Sequence, residues 1–244
     1  MITRVLLFVT SLATTAAAQW INYPTPGTPR TRDGKPNLSA PAPMTRDGKP
    51  DLSGIWESIP PQTGTRDADP FTSLQDLNFF DLQNFLPPGA SARCLPHGIP
   101  DAMLIPADFK IVQNPGLTLI LYEEFNHYRQ IFTDGRPHPK DRNPAWFGYS
   151  IGKWNRDAFV VDTVGFNDQS WLDDHGHPHT DALHTTERFR RRDFGHMELQ
   201  VTIDDPNAYT APWTATIQFR LLPDTELIED VCDNEKDAPH SLGK

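Results

Sequence analysis

The chain has 244 residues, 24 of them proline and 15 glycine, with a hydrophobic fraction of 37% and a formal net charge of −10 at pH 7. This composition excludes a collagen, a coiled coil and a membrane bundle, and it suits one sizeable core or two small ones. The acidic balance argues against nucleic acid as a partner, because phosphate-binding surfaces depend on clustered lysine and arginine. The many prolines predict long loops.

The first 18 residues have the form of a secretory signal peptide. Arg4 precedes an apolar run over residues 5–9, and three alanines at 16–18 provide the small-residue pattern of a cleavage site. The apolar run is too short to span a membrane, which takes about 20 apolar residues, and no later stretch comes near that length. The sequence therefore predicts a secreted or periplasmic protein with no transmembrane segment.

The two cysteines of the chain are Cys94 and Cys232. In an oxidising compartment an even pair most simply forms one disulfide, and two free buried thiols are the alternative. The spacing excludes a cysteine-based zinc site, because such sites usually take paired Cys-x-x-Cys ligands.

Residues 19–50 are rich in proline and lack apolar periodicity, which predicts an extended linker that makes few contacts. A nonapeptide at residues 31–39, TRDGKPNLS, recurs at residues 45–53 as TRDGKPDLS. Two copies of nine residues are too few for a solenoid, so we interpret the repeat as a local duplication. The second copy leads into Trp56, and a single folded domain is predicted over residues 51–244.

One short amphipathic helix is predicted after Asp69, with Asp69 as the N-cap and Pro70 at the first helical position. From residue 109 onward, the period of the apolar residues changes to two. The clearest runs are 117–122, 197–204 and 213–221. This alternation is typical of half-buried antiparallel strands.

Turn signals separate these runs, and counting from Gly54 gives eight or nine strands in meander order. With no helices alternating between them, the strands favour an all-β fold, an antiparallel meander barrel, because closure removes exposed sheet edges. A β-sandwich is the alternative, since the number of strands does not separate the two architectures.

The opening of the folded domain, DLSGIW at residues 51–56, resembles the Gly-x-Trp opening of lipocalin-type barrels, in which the tryptophan plugs the closed end. Five further segments together resemble a family of secreted bacterial proteins. They are CLPHGIP at 94–100, IFTDGRPHP at 131–139, GYSIGKW at 148–154, VVDTVGF at 160–166 and ERFRR at 187–191. The resemblance covers nearly everything after Asp47. It implies export and an all-β fold, and it supplies no reaction.

Four histidines fall within ten residues: His175, His177, His179 and His184. In an extended segment the first three project to one side, and imidazoles placed in this way suit a Zn, Cu or Fe ion. The glycine and proline between them are also typical of a solvated loop that joins two strands, which is the simpler interpretation. Metal-free acid–base chemistry is the third, because imidazole titrates near pH 6.5.

His138 is the second acid–base candidate, because the prolines on either side of it fix its backbone. A stiff surface turn is the alternative for this residue. Glu187 shares one side of its strand with Leu183 and Thr185, and if that side faces the barrel interior the carboxylate must be paired. We expect an arginine or tyrosine from a neighbouring strand as its partner, and a structural ion pair is favoured over a catalytic carboxylate.

Aromatic residues with a few polar groups are typical of small-molecule sites. The predicted ligand-binding residues are Asp134, Tyr149, Trp154, Trp171 and Arg188. The predicted acid–base residues, at a barrel mouth formed by loops 134–139 and 171–181, are His138, His177, His179 and Glu187. No hydrolase, zincin or nucleotide-binding motif is present in the sequence, which leaves open whether the protein is an enzyme.

The sequence thus predicts a secreted barrel that handles a small organic molecule at its mouth, with histidine and carboxylate acid–base chemistry as its reactive element. One alternative is a secreted metal-binding protein that uses the loop from His175 to His179. The other is a structural or interaction module without a cavity.

Overall fold

The computed structural model describes residues 23–59, 93–173 and 176–232. In these ranges the chain forms nine strands and two short 3-10 turns, Asp101–Met103 and Glu124–Asn126. The strands are β1 (Gly54–Ser58), β2 (Phe109–Asn114), β3 (Leu117–Tyr122), β4 (Tyr128–Phe132), β5 (Tyr149–Asn155), β6 (Ala158–Val164), β7 (His184–Arg191), β8 (His196–Asp204) and β9 (Trp213–Leu221). The predicted signal peptide, the helix predicted after Asp69 and His175 lie outside the described residues.

The nine strands form a closed barrel, as predicted, in which each strand pairs with the next and β1 pairs with β9. This closure excludes the sandwich alternative. Eight of the nine neighbouring pairs are antiparallel, but β4 and β5 are parallel through Ile131–Ser150 and Phe132–Ile151. The prediction of an antiparallel meander is wrong at this pair. Residues 133–148, here called the strap, run back along the outside of the barrel, so β5 starts at the end where β4 also starts.

Alternation along the strands decides which side chains face the interior. On β8 the alternate residues Met197, Leu199, Val201 and Ile203 are all fully buried. On β3 the interior side chains are Thr118, Ile120 and Tyr122, whereas the three leucines of that strand are half-buried on the outer face. The interior is filled further by large aromatic side chains, which are Trp56, Phe109, Phe159, Phe189 and Phe219.

Trp56 lies in the interior, on the first strand of the barrel, and is fully buried. Its indole Nε1 donates a hydrogen bond to the carbonyl of Leu52 at 3.0 Å. The guanidinium of Arg191 lies 4.9 Å from the ring centroid, which is cation–π distance. The tryptophan of the Gly-x-Trp segment is therefore held by both hydrogen bonding and stacking.

The two copies of the nonapeptide adopt the same turn. The Thr31 amide donates to the Lys35 carbonyl at 2.9 Å, and the Thr45 amide donates to the Lys49 carbonyl at 2.8 Å. In each copy the threonine hydroxyl donates to the aspartate two residues later, and the glycine has a positive φ. The duplicated sequence thus gives a duplicated local structure, because the residues that determine the turn are the same in both copies.

The segment before the barrel makes specific contacts, where the sequence suggested an extended linker with few of them. The amides of Phe194 and Gly195 donate to the carbonyls of Ala40 and Leu38, each at 2.7 Å. These bonds attach residues 38–40 to the turn between β7 and β8.

A disulfide joins Cys94 to Cys232, with 5.7 Å between their Cα atoms, and the predicted pairing is confirmed. It links the segment that precedes β2 to the segment that follows β9. The described residues contain no helix with the length and apolarity needed to cross a membrane.

Candidate functional site

A carboxylate held between two histidines lies on the outer face of the barrel. Asp162 accepts from His138 Nε2 at 2.6 Å through Oδ1 and from His184 Nε2 at 2.8 Å through Oδ2. Burial alone raises the pKa of Asp162, but the hydrogen bonds from His184 and His138 hold that pKa below its usual range. Asp162 is therefore ionised at neutral pH, and its contact with His138 fastens the strap to the barrel.

The alternation of β6 explains why Asp162 faces outward. Phe159, Val161 and Thr163 point into the interior, so Val160 and Asp162 occupy the outer face. His184 begins the adjacent strand β7 on the same face.

The strap places His138 above this face. The ring of Tyr149 packs edge-on against His138, with the centroids 5.9 Å apart. His138 Nδ1 is buried and makes no hydrogen bond with the described residues. The imidazole of His138 is therefore hydrogen-bonded to Asp162 through one ring nitrogen, and its other ring nitrogen has no partner among the described residues.

A groove of about 650 Å³ runs beside this cluster, between the strap and the outer face of β5, β6 and β7. The strand register sets two rows of side chains across its floor: Ile151, Asp162 and Thr186 in the first, and Lys153, Val160 and Arg188 in the second. Residues two apart on one strand are about 7 Å apart, so this is the spacing of the two rows. We call this space the outer groove.

The wall of the outer groove on the strap side is formed by Phe132 and Arg136. The Arg136 guanidinium lies 4.0 Å from the centroid of the Phe132 ring and pairs with Asp134 at 2.5 Å. The Phe132 ring stacks in turn on Tyr149, with the centroids 5.2 Å apart. The groove therefore has an aromatic side chain in its wall, and the charge of Arg136 is already balanced by Asp134.

Glu187 points into the barrel, where it forms an ion pair with Arg129, and both side chains are almost completely buried. The Arg129 guanidinium also donates to Thr163 at 2.8 Å and to Ser150 at 3.0 Å. The expected arginine partner is confirmed, but it lies on β4, and strands β5 and β6 separate it from β7. The pair therefore spans the interior of the barrel instead of joining adjacent strands.

His177 and His179 lie in the loop between β6 and β7, and each contacts a different side chain. His177 Nδ1 is 2.5 Å from Asp173 Oδ2. His179 Nε2 is 2.9 Å from Ser170 Oγ, and burial lowers the pKa of His179. Within the described ranges, which exclude His175, no group of three histidine, cysteine, aspartate or glutamate side chains is arranged to hold a metal ion.

The structure does not bring the predicted site residues together. Alternation along β7 sends Glu187 inward while His184 and Arg188 face the outer side. The residues that adjoin the outer groove or its wall are Asp134, His138, Tyr149, His184 and Arg188. The other two predicted ligand-binding residues lie elsewhere. Trp154 packs against Phe159 in the core, with the ring centroids 5.3 Å apart. Trp171 forms a β-bridge with Pro178, in the loop that carries His177 and His179.

A second polar cluster, which the sequence did not reveal, is buried around His97. Its Nδ1 is 2.5 Å from Asp101 Oδ2 and its Nε2 is 2.9 Å from Glu124 Oε2. Burial alone lowers the pKa of His97, but the two carboxylates outweigh it and raise that pKa to about 10. The available signal was His97 in the segment CLPHGIP, with Asp101 directly after that segment and four residues from His97.

In comparisons with known proteins, no family model, no curated protein and no solved structure matches this chain. Its chemistry is therefore identified by its own side-chain clusters. Of the clusters described above, the one around Asp162 borders a groove within the size range of small-molecule sites, about 300–1,000 Å³. The sequence alone does not identify Asp162 as a site residue, because nothing in the segment VVDTVGF sets this aspartate apart from others in the chain.

Proposed function

We propose that this protein is an exported small-molecule-binding protein whose ligand site is the outer groove. The observation that carries the proposal is the position of Asp162, held between His138 and His184 beside a groove whose lining combines apolar side chains with polar and charged ones. Such sites combine apolar walls with a few placed polar groups. The signal-peptide pattern and the disulfide support export, because disulfides persist in oxidising compartments.

The resemblance to lipocalin-type barrels supports a carrier function of the same general kind. Trp56 occupies the first strand and is covered by Arg191, as a plug at the end of a barrel requires. The interior is filled by aromatic rings and by the Arg129–Glu187 pair, so we place the ligand outside the barrel. The strap provides the wall on that side.

The proposal is tested by filling the groove. Val160 is 8% exposed at the centre of the second row, and a tryptophan there occupies the space of the ligand. We expect the neutral fluorescent probe N-phenyl-1-naphthylamine to bind wild type saturably, and Val160→Trp to weaken this binding at least about tenfold. The matched control, Thr216→Trp on the exposed outer face of β9, keeps wild-type affinity. Undiminished binding to the Val160 variant rules out the groove as the ligand site.

Acid–base catalysis in the same groove is a second candidate function, and the two imidazoles on one carboxylate favour it. A histidine oriented by an aspartate moves protons at neutral pH. If this function holds, Asp162→Asn lowers kcat/KM for p-nitrophenyl acetate hydrolysis at least about tenfold. His196→Gln, which removes another aspartate-bound histidine at 2.7 Å from Asp193, leaves the rate unchanged. Equal losses in both variants exclude catalysis at Asp162.

A further inference from the structure

We infer that the outer groove takes an amphiphilic anion, with a carboxylate, sulfonate or phosphate head bound between Lys153 and Arg188. The inference rests on the proposed function and names its ligand class. Lys153 and Arg188 stand on β5 and β7, on either side of Val160, and both line the groove.

Lys153 and Arg188 have no charge partner among the described residues. Within the described ranges, neither Lys153 nor Arg188 forms an ion pair or a side-chain hydrogen bond. Other arginines nearby are neutralised, since Arg136 pairs with Asp134 and Arg190 pairs with Asp157. In a chain with a net charge of −10, two unpaired cations facing one groove favour an anionic occupant.

The two cations lie close enough to bind one anionic group together. Lys153 and Arg188 lie in one row with a single strand between them, so their backbones are about 10 Å apart. From these positions two long side chains can reach the space above Val160 from either side. Arginine presents a planar fork of donors to a carboxylate or phosphate, and lysine adds a compact charge. An anionic head above Val160 is therefore within reach of both side chains.

The groove also offers surfaces for the uncharged part of a ligand. Beside the two cations the groove presents the apolar surfaces of Phe132, Ile151 and Val160. The Asp162 cluster begins one row further along, about 7 Å from the head position. The ligand class that fits is a small anion with an aromatic or aliphatic body and a second polar group about 7 Å from its charge.

The experiment compares two probes that share one aromatic body. The first, 8-anilinonaphthalene-1-sulfonate, carries the anionic head, and N-phenyl-1-naphthylamine lacks it. We expect wild type to bind the sulfonate at least about fivefold more tightly, and the double variant Lys153→Gln with Arg188→Gln to lose this preference. The affinity for the neutral probe should stay within about twofold of wild type, because the apolar surfaces are unchanged.

The control is Arg190→Gln, which removes one positive charge from the same face of β7 outside the groove and should leave both affinities unchanged. Circular dichroism and thermal unfolding establish that each variant is folded. A sulfonate preference that survives in the double variant, or is absent from wild type, overturns the anion site. The proposed function fails on a different result: binding of the neutral probe that is insensitive to Val160→Trp. If neither probe binds saturably, both proposals are overturned.

Discussion

Replacing Arg129 by methionine is expected to lower the free energy of unfolding by about 3–5 kcal/mol. The substitution leaves the Glu187 carboxylate inside the barrel without its counter-charge, and both side chains are almost completely buried. It also removes the donors to Ser150 and Thr163. Urea unfolding followed by tryptophan fluorescence measures the change.

The double variant Arg129→Met with Glu187→Leu separates the cost of an unpaired charge from the loss of packing. An apolar pair of similar volume often replaces a buried ion pair at little cost, so we expect the double variant to recover most of the lost stability. Arg220→Met is the matched control, because it breaks the exposed pair with Glu57 and should cost less than about 1 kcal/mol. An Arg129 variant as stable as this control contradicts the prediction.

The free energy of unfolding is expected to fall by roughly 2–3 kcal/mol between pH 6.5 and about pH 8.5 through His97 alone. The two carboxylates raise the pKa of His97 from 6.5 to about 10 in the folded protein. A group with a raised pKa contributes its full stabilisation below its unfolded pKa and loses it as the pH rises towards the folded value. The loss therefore begins near pH 6.5 and is complete near pH 10.

His97→Gln tests this prediction, because glutamine does not titrate and the variant should lack this part of the pH dependence. The quantity to compare is the free energy of unfolding at both pH values for wild type, His97→Gln and His196→Gln. His196 lies on the surface beside Asp193, so its variant should keep the wild-type slope. The same slope in wild type and His97→Gln shows that the cluster does not hold an extra proton.

Local patterns predicted much of the framework. The period-two runs at 117–122, 197–204 and 213–221 correspond to β3, β8 and β9, because strand alternation is a property of consecutive residues. The disulfide was predicted from the two cysteines and from the expectation of export, and the structure confirms it. The same alternation predicted an arginine partner for Glu187, because a carboxylate on the inner face of a strand needs a counter-charge.

The long-range geometry was decided by the tertiary structure. Asp162 lies 24 residues from His138 and 22 from His184, and they meet because the strap runs back over the outer face of β6. The strap also makes the β4–β5 pair parallel, which alternation within a strand does not predict. The sequence by itself determined the strand character and the disulfide, which depend on local pattern and residue type. The sequence favoured a barrel but left a sandwich open. The choice between them, the identity of Arg129 as the partner of Glu187 and the outer groove depend on which strands become neighbours, so only the tertiary structure decided them.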